Sequence, residues 1–342
     1  MKITFFPFQP HCFAYGGFDL QMLNAFNSLK KLNVSVSKFD LWDTNQNFDI
    51  VHLWGISPHN YQIIDWSKKC NKIVVATLLL PYYDKQVDKI KYFARLYCSR
   101  AFKNHLKYFS KIDRFSVVNE VQKLILHKYY FVPLFKIDII PNIVEDKFFT
   151  RPKIDFSLKY NITNYVLCTG NISARKNQLN LAKACTNLNL NLVLIGNILD
   201  GEITYATNLQ NFINSNSNIL WIKNLPNASE DLIAAYYGSL FFALPSNEET
   251  QPISALEAST SGKKCLFIKR KYAFQKYYDS PILSKSASVK DIELALFNAL
   301  NSNKMVSSNP FIYECKEFNV GNDYIKFYNN SYKFNINKIH LK

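Results

Sequence analysis

Short apolar runs alternate with longer amphipathic stretches along nearly the whole chain, and that order constrains the fold more than any single motif. Ile3–Phe6, Val34–Phe39, Phe48–Trp54, Lys72–Leu80, Phe115–Val118 and Ile137–Ile140 read as strands in the first half. Between them lie a helix at Phe18–Leu32, apolar at Leu20, Leu23, Phe26 and Leu29, and one or two helices across Lys89–Arg114. The alternation resumes with a strand at Tyr165–Thr169 and a helix at Gln178–Asn187. Strands Asn191–Ile195 and Ile219–Ile222 follow, then a helix Ser229–Tyr237 capped by Ser229, and strands Leu240–Leu244 and Lys264–Ile268. Strand–helix alternation builds a parallel sheet covered on both faces. Two such series in 342 residues predict an α/β chain of two domains. The expected boundaries are 1–150 for the first domain, 151–163 for a polar linker, 164–320 for the second domain, and 321–342 for a C-terminal segment.

Composition narrows the function. With 48% apolar and 15% aromatic residues the chain can bury substantial cores. Its net charge of +15 favours an anionic partner, such as a nucleotide-sugar, an acidic lipid surface or nucleic acid. No nucleic-acid module is recognisable, so nucleic acid is not expected. Seven dispersed cysteines with no Cys-x-x-Cys pair read as reduced thiols in a cytoplasmic protein. The longest apolar run is too short to span a bilayer, so membrane association is expected only as peripheral contact on the inner face of the cell membrane. The six histidines lack ligand spacing, and Asp200–Glu202 reads as a turn, so no metal is expected. Neither a dinucleotide-binding glycine fingerprint nor a Walker lysine occurs, so no cofactor is expected.

The chemistry concentrates in Pro245–Ala258. An apolar strand leads into Pro245, Ser246 and a loop carrying Glu249, and Pro252 suits the first position of a helix that carries Glu257. Loops at the C-terminal ends of parallel strands are where open α/β sheets bind ligands. The Pro-Ser pair, the two glutamates eight residues apart and Leu256-Glu257-Ala258 resemble the two-glutamate motif of retaining glycosyltransferases of family 4. That family has the GT-B fold, two Rossmann-like domains facing across a cleft, with a C-terminal helix crossing back to the first domain. The usual turn glycine is absent here, where Thr250 to Ile253 stand.

The resemblance implies transfer of a sugar from a nucleotide diphosphate donor to a hydroxyl of a glycan or lipid-linked acceptor, with retention and without metal, in surface polysaccharide synthesis. It implies that Glu249 binds donor-sugar hydroxyls beside the reacting carbon and that Glu257 binds the ribose. Thr250 and Gln251 would contribute main-chain amides to the donor. The family carries an Arg and a Lys on the diphosphate after its next strand. Lys176 matches the Lys, Asn171 stands where the Arg is expected, and Arg175 is the cation available to replace it. An anionic leaving group needs such pre-placed cations. Gly16 and Gly17 match a glycine pair whose amides approach the phosphates or the acceptor, and equally fit an ordinary turn. His52 either faces the cleft or packs beside Trp54. The family's sugar-contacting histidine has no counterpart in Leu80–Asp84. Asn119-Glu120 and Pro141-Asn142 with Phe148 extend the likeness. The rival readings are a nucleotide-sugar epimerase or hydrolase on the same fold, a non-catalytic nucleotide-sugar-binding protein, and nucleic-acid binding driven by the positive charge.

Lys89–Lys111 holds seven Lys and Arg residues, no acid, and interleaved aromatics. Folded as helices, this segment either packs its aromatics inward under a solvated basic face or meets anionic lipid headgroups.

Overall fold

Apolar runs in the first half fold into six short parallel strands separated by helices. The chain order is β1 Lys2–Phe6, α1 Gly17–Lys31, β2 Ser35–Lys38, β3 Ile50–Trp54, α2 Tyr61–Lys69, β4 Ile73–Thr77, α3 Gln86–Cys98, α4 Arg100–Lys111, β5 Arg114–Val117, α5 Glu120–Tyr130 and β6 Ile137–Ile139. This computed structural model describes residues 1–12, 15–82, 86–223, 225–301 and 309–340. The strands pair in the order β2-β1-β3-β4-β5-β6. Every residue of β3 and β4 is buried, which is why both read as continuous apolar runs. Edge strand β2 is mostly exposed and alternates instead. The Asn119 side chain accepts from the Gln122 amide and starts α5.

The second half repeats the plan. It contains α6 Phe156–Tyr160, β7 Tyr165–Thr169, α7 Gln178–Asn187, β8 Asn191–Ile195, α8 Ile203–Asn214, β9 Ile219–Ile222, α9 Glu230–Gly238, β10 Phe241–Leu244, α10 Ile253–Thr260, β11 Cys265–Ile268, β12 Ile282–Ser284 and α11 Val289–Leu300. The order in this sheet is β12-β11-β10-β7-β8-β9, all parallel. Ser229 caps α9, its hydroxyl accepting from the Leu232 amide at 3.3 Å. Pro252 stands one place earlier than expected, as the cap of α10, because its ψ of 121° is extended.

The last helix, α12 Glu317–His340, packs in the first half against α1. The Ser28 hydroxyl donates to the Glu317 carbonyl at 2.8 Å, and Lys31 pairs with the Glu317 carboxylate at 2.7 Å. A Cβ on Gly321 would fall 2.3 Å from Ser28 Oγ, so glycine permits the close approach of the two helices. Tyr324, Phe327 and Tyr328 join Phe5 and Trp54 in one core layer of this unit.

Two units result, Met1–Ile143 with Glu317–Lys342, and Val144–Lys316. This division differs from the expected one at both ends of the second domain. Residues 144–163 belong to the second unit and are no free linker. Asp155 caps α6, and Phe156, fully buried, sits 5.4 Å from the Tyr165 ring. Phe148 is buried too, and its carbonyl accepts from the Tyr237 and Thr260 hydroxyls. Isolated aromatics in a polar stretch are enough to dock it. Among the described residues, no helix is long and apolar enough to cross a membrane.

Candidate functional site

In the second sheet β7 pairs with β8 on one side and with β10 on the other. The direction of winding reverses between β7 and β10, so a crevice at their C-terminal ends is the ligand position this topology favours. The two loops that leave those ends are the two that carry the motif residues.

The loop after β7 is held by backbone and by glycine. Ile172 donates to the Asn197 carbonyl at 2.7 Å, and Leu199 donates to that of Ile172 at 3.2 Å. Gly196, at φ +152°, lies so close to this loop that a Cβ would stand 2.2 Å from the Gly170 carbonyl oxygen. Gly170, at φ +121°, leaves room for the Lys176 amine, which a Cβ would meet at 2.5 Å. Gly196 therefore demands glycine by backbone angle and by space, and Gly170 by backbone angle, since the Lys176 amine is the flexible end of a side chain. The Gln178 amide group donates to the Asn171 carbonyl at 3.0 Å, and the Ser173 N–H donates back to the Gln178 side chain at 3.3 Å.

Arg175 and Lys176 converge on one carboxylate. Arg175 Nη1 donates to Glu249 Oε1 at 2.8 Å and to Ser246 Oγ at 3.3 Å, and it also reaches the Glu248 carbonyl. Lys176 Nζ lies 3.9 Å from the same Oε1. The Asn247 amide donates to the Arg175 carbonyl at 3.0 Å, so the loop after β10 is laid along the loop after β7. Side-chain exposure is 14% for Lys176 and 13% for Glu249 but 46% for Arg175. A half-exposed ion pair of this kind contributes about 1 kcal/mol or less to stability. What it does is aim Glu249. Two cations against one carboxylate leave a local excess of positive charge that a phosphate can satisfy. Glu248 points to solvent.

Glu257 is placed by a different chain of contacts. The Tyr236 hydroxyl donates to Glu257 Oε2 at 2.7 Å, and Thr169 Oγ1, at the end of β7, lies 2.7 Å from the same hydroxyl. Burial raises the Glu257 carboxyl to about 7. The Tyr236 hydrogen bond opposes that rise, nearby Glu145 adds to it, and the charge of Lys176 opposes it. Lys176 therefore acts on both glutamates. Cys168 lies beneath, its thiol pushed up to about 12 by burial, and so stays neutral.

The remaining sequence-predicted residues fall in other places. Gln251 is buried, and its side chain donates to Gln275 Oε1 at 2.8 Å; Gln275 in turn donates to the Thr250 carbonyl at 2.8 Å. That strut fixes the turn which lacks the usual glycine. Gly16 and Gly17 belong to the first unit. Gly16 precedes α1 with extended backbone, and its amide donates to Asp19 Oδ2 at 2.9 Å. His52 is a packing residue and faces no opening. It is fully buried, with Nδ1 2.7 Å from the Tyr328 hydroxyl and Nε2 2.7 Å from that of Thr77, and burial lowers it to about 3. Leu80 exchanges two hydrogen bonds with the Gln122 side chain. Tyr83 and Asp84 of that loop lie outside the described residues.

Sequence reasoning missed Tyr236, and it gave Thr169, Ser246 and Gly196 no contact of their own, only a place at a strand end or in a motif. Tyr236 falls inside the helix read at Ser229–Tyr237, and no motif marks it. The only hint was general: a buried tyrosine hydroxyl needs a partner.

Residues 150–304, wholly within the second unit, match the family model described as "Glycosyl transferases group 1". No curated protein matches the chain in sequence. Among solved structures, the chain is similar to a glycosyltransferase from Rickettsia africae ESF-5, with TM-score 0.71 at 14% identity over 97% of this chain and 98% of that one. It is similar to Anabaena Alr3699/HepE in complex with UDP and glucose, with TM-score 0.71 at 14% identity over 95% and 98%. It is also similar to UDP-GlcNAc 2-epimerase from Methanocaldococcus jannaschii, with TM-score 0.57 at 12% identity over 96% and 99%. At such identities the likeness carries the fold alone. The two parallel sheets with their covering helices are those of GT-B proteins, as the sequence predicted.

Proposed function

We propose that the protein is a retaining, metal-independent glycosyltransferase of the family 4 type, taking a nucleotide diphosphate sugar as donor. One observation carries this reading: Arg175 and Lys176 converge on Glu249 at the point where the second sheet reverses its winding. The match of residues 150–304 to the glycosyltransferase group 1 family supports it.

In the reaction, the bond between the anomeric carbon and the phosphate oxygen breaks. Negative charge grows on the diphosphate, and Lys176 with Arg175 stabilises it from positions already set. Arg175 takes the role that Asn171, a neutral residue, leaves unfilled. A diphosphate drawing on Arg175 and Lys176 frees Glu249 to accept hydroxyls of the donor sugar. Glu257 accepts from the ribose diol, and main-chain amides of Thr250 and Gln251 complete the donor contacts. The acceptor, a glycan or lipid-linked hydroxyl, attacks the face that the phosphate leaves. Its oxygen bonds to the anomeric carbon and its proton passes to the departing phosphate, which gives retention.

The test joins donor binding to product analysis. A saturating donor, at about 100 times its Kd, adds roughly 2.7 kcal/mol of stability and is found by a thermal-shift screen of nucleotide-sugars. With that donor, Glu249→Ala and Lys176→Ala each lower kcat/KM by roughly 10²-fold or more while the variants keep the parent melting curve. Release of nucleoside diphosphate depends on acceptor, and the product keeps the donor's anomeric configuration by NMR. Inverted product removes the retaining mechanism. Acceptor-independent change of the donor sugar favours an epimerase, and donor binding without any turnover favours a binding protein.

A further inference from the structure

We propose that α3 is a docking surface for an anionic lipid bilayer. The two alternatives open for the basic–aromatic segment divide between its two helices. In α4 the aromatics face inward. Phe109 is buried, Tyr108 stacks on Tyr61 at 3.7 Å between centroids, and Lys111 pairs with Asp65. In α3 the arrangement is reversed. Tyr92 is its one buried residue, its hydroxyl donating to the Tyr129 carbonyl and its ring 4.9 Å from that of Tyr129.

At about 3.6 residues per turn, Val87, Ile90 and Tyr97 fall on the arc opposite Tyr92, and Phe93 flanks it, its ring 5.4 Å from that of Tyr92. Val87, Ile90, Phe93 and Tyr97 are 56%, 66%, 50% and 72% exposed, a continuous apolar stripe aimed at solvent. Lys91 and Arg95 border the stripe on one side and Lys89 on the other, all three exposed. Beyond them Arg100, Lys103 and Lys107 are exposed on α4, and Asp88 is the single acid in residues 86–111. Where Tyr92 meets the end of α5, the chain continues into Phe131 and Phe135, each 62% exposed.

A soluble surface rarely shows so many large apolar side chains together without a partner. The chemistry selects which partner. An apolar arc between two rows of cations is the pattern of a helix lying in the lipid headgroup plane, its apolar side among acyl chains and its cations on phosphates. A second copy of this chain, seated by two-fold symmetry, would set the cationic borders formed by Lys89, Lys91 and Arg95 against cationic borders of the other copy. Nucleic acid would meet the cations and leave the apolar arc uncovered.

The test uses the full chain and sedimentation with phosphatidylcholine vesicles, with and without phosphatidylglycerol. The wild type sediments with the anionic vesicles and stays in solution with the neutral ones. Lys89→Gln/Lys91→Gln/Arg95→Gln weakens partitioning roughly 10²-fold. Ile90→Glu/Phe93→Glu abolishes it while the circular dichroism spectrum stays that of the wild type, Ile90 being exposed and Phe93 half exposed at the edge of the Tyr92 ring. Glu249→Ala binds vesicles like the wild type, which separates this surface from the proposed transfer site. Three outcomes would overturn the proposal: no preference for anionic vesicles, full binding by Ile90→Glu/Phe93→Glu, or a wild-type dimer that this variant splits. RNA binding without vesicle binding would do so as well.

Discussion

Glu257 is a carboxylate whose ionisation the fold makes costly, and its neighbours limit that cost without removing it. Burial lifts it to about 7 against the Tyr236 hydrogen bond and the Lys176 charge. Between the ordinary Glu value of about 4.3 and 7, the folded chain binds a proton that the unfolded chain has lost. Its contribution to stability is therefore full below the unfolded value and is lost as pH rises to about 7. In the proposed donor site the dependence runs the other way, because only an ionised carboxylate would accept from both ribose hydroxyls. The kcat/KM for donor should rise through about pH 7, and Glu257→Gln should flatten that limb while also removing the stability change in the same window. An unaltered profile in Glu257→Gln would assign the limb to another group. At this scale the loop and helix settings of Lys176, Glu249 and Glu257 were legible, because each sits in a contiguous stretch with strand and helix on either side. Tyr236 and Gly196 were not, since each matters only through a contact with a residue more than twenty positions away.

At the scale of elements, the buried strands were the easiest to read. Tyr165–Thr169, Asn191–Ile195 and Ile219–Ile222 fold at the residues where their apolar runs begin and end. A strand covered on both faces can tolerate little else. The docking of 144–163 and the outward face of α3 were not readable, because both depend on which other element covers an aromatic. The anchoring of α12 belongs with these. Its Tyr328 hydroxyl meets His52 on β3, and His52 passes the contact to Thr77 on β4, whose hydroxyl meets that of Ser116 on β5. One hydroxyl thus ties the last helix to three strands. Tyr328→Phe keeps the ring and strands His52 Nδ1 without a partner, at a cost of about 1–3 kcal/mol. His52, lowered to about 3, contributes stability above its unfolded value of about 6.5 that is lost as pH falls toward 3. Urea unfolding at about pH 7.5 therefore reads the hydroxyl alone. A change well under 1 kcal/mol would mean that water or a rotated neighbour restores the contact.

For the molecule as a whole, the two units have separate cores and unequal connectivity. The second is one continuous stretch, Val144–Lys316, built around β7, β8 and β10. The first is closed by a helix from the far end of the chain, so it is complete only when residues after 316 have folded back. Units with their own cores unfold as their own cooperative steps. Calorimetry should resolve two transitions, and the perturbations already named assign them. A nucleotide-sugar held by Arg175, Lys176, Glu249 and Glu257 stabilises only the unit that contains all four, so it raises one transition. Tyr328→Phe acts in the other unit and lowers the second transition by about 2–4 °C per kcal/mol lost. Donor and mutation should therefore move different peaks, and combining them should move each peak by its own separate shift and no further. A single transition displaced by both would make the chain one cooperative body, whatever its contacts divide.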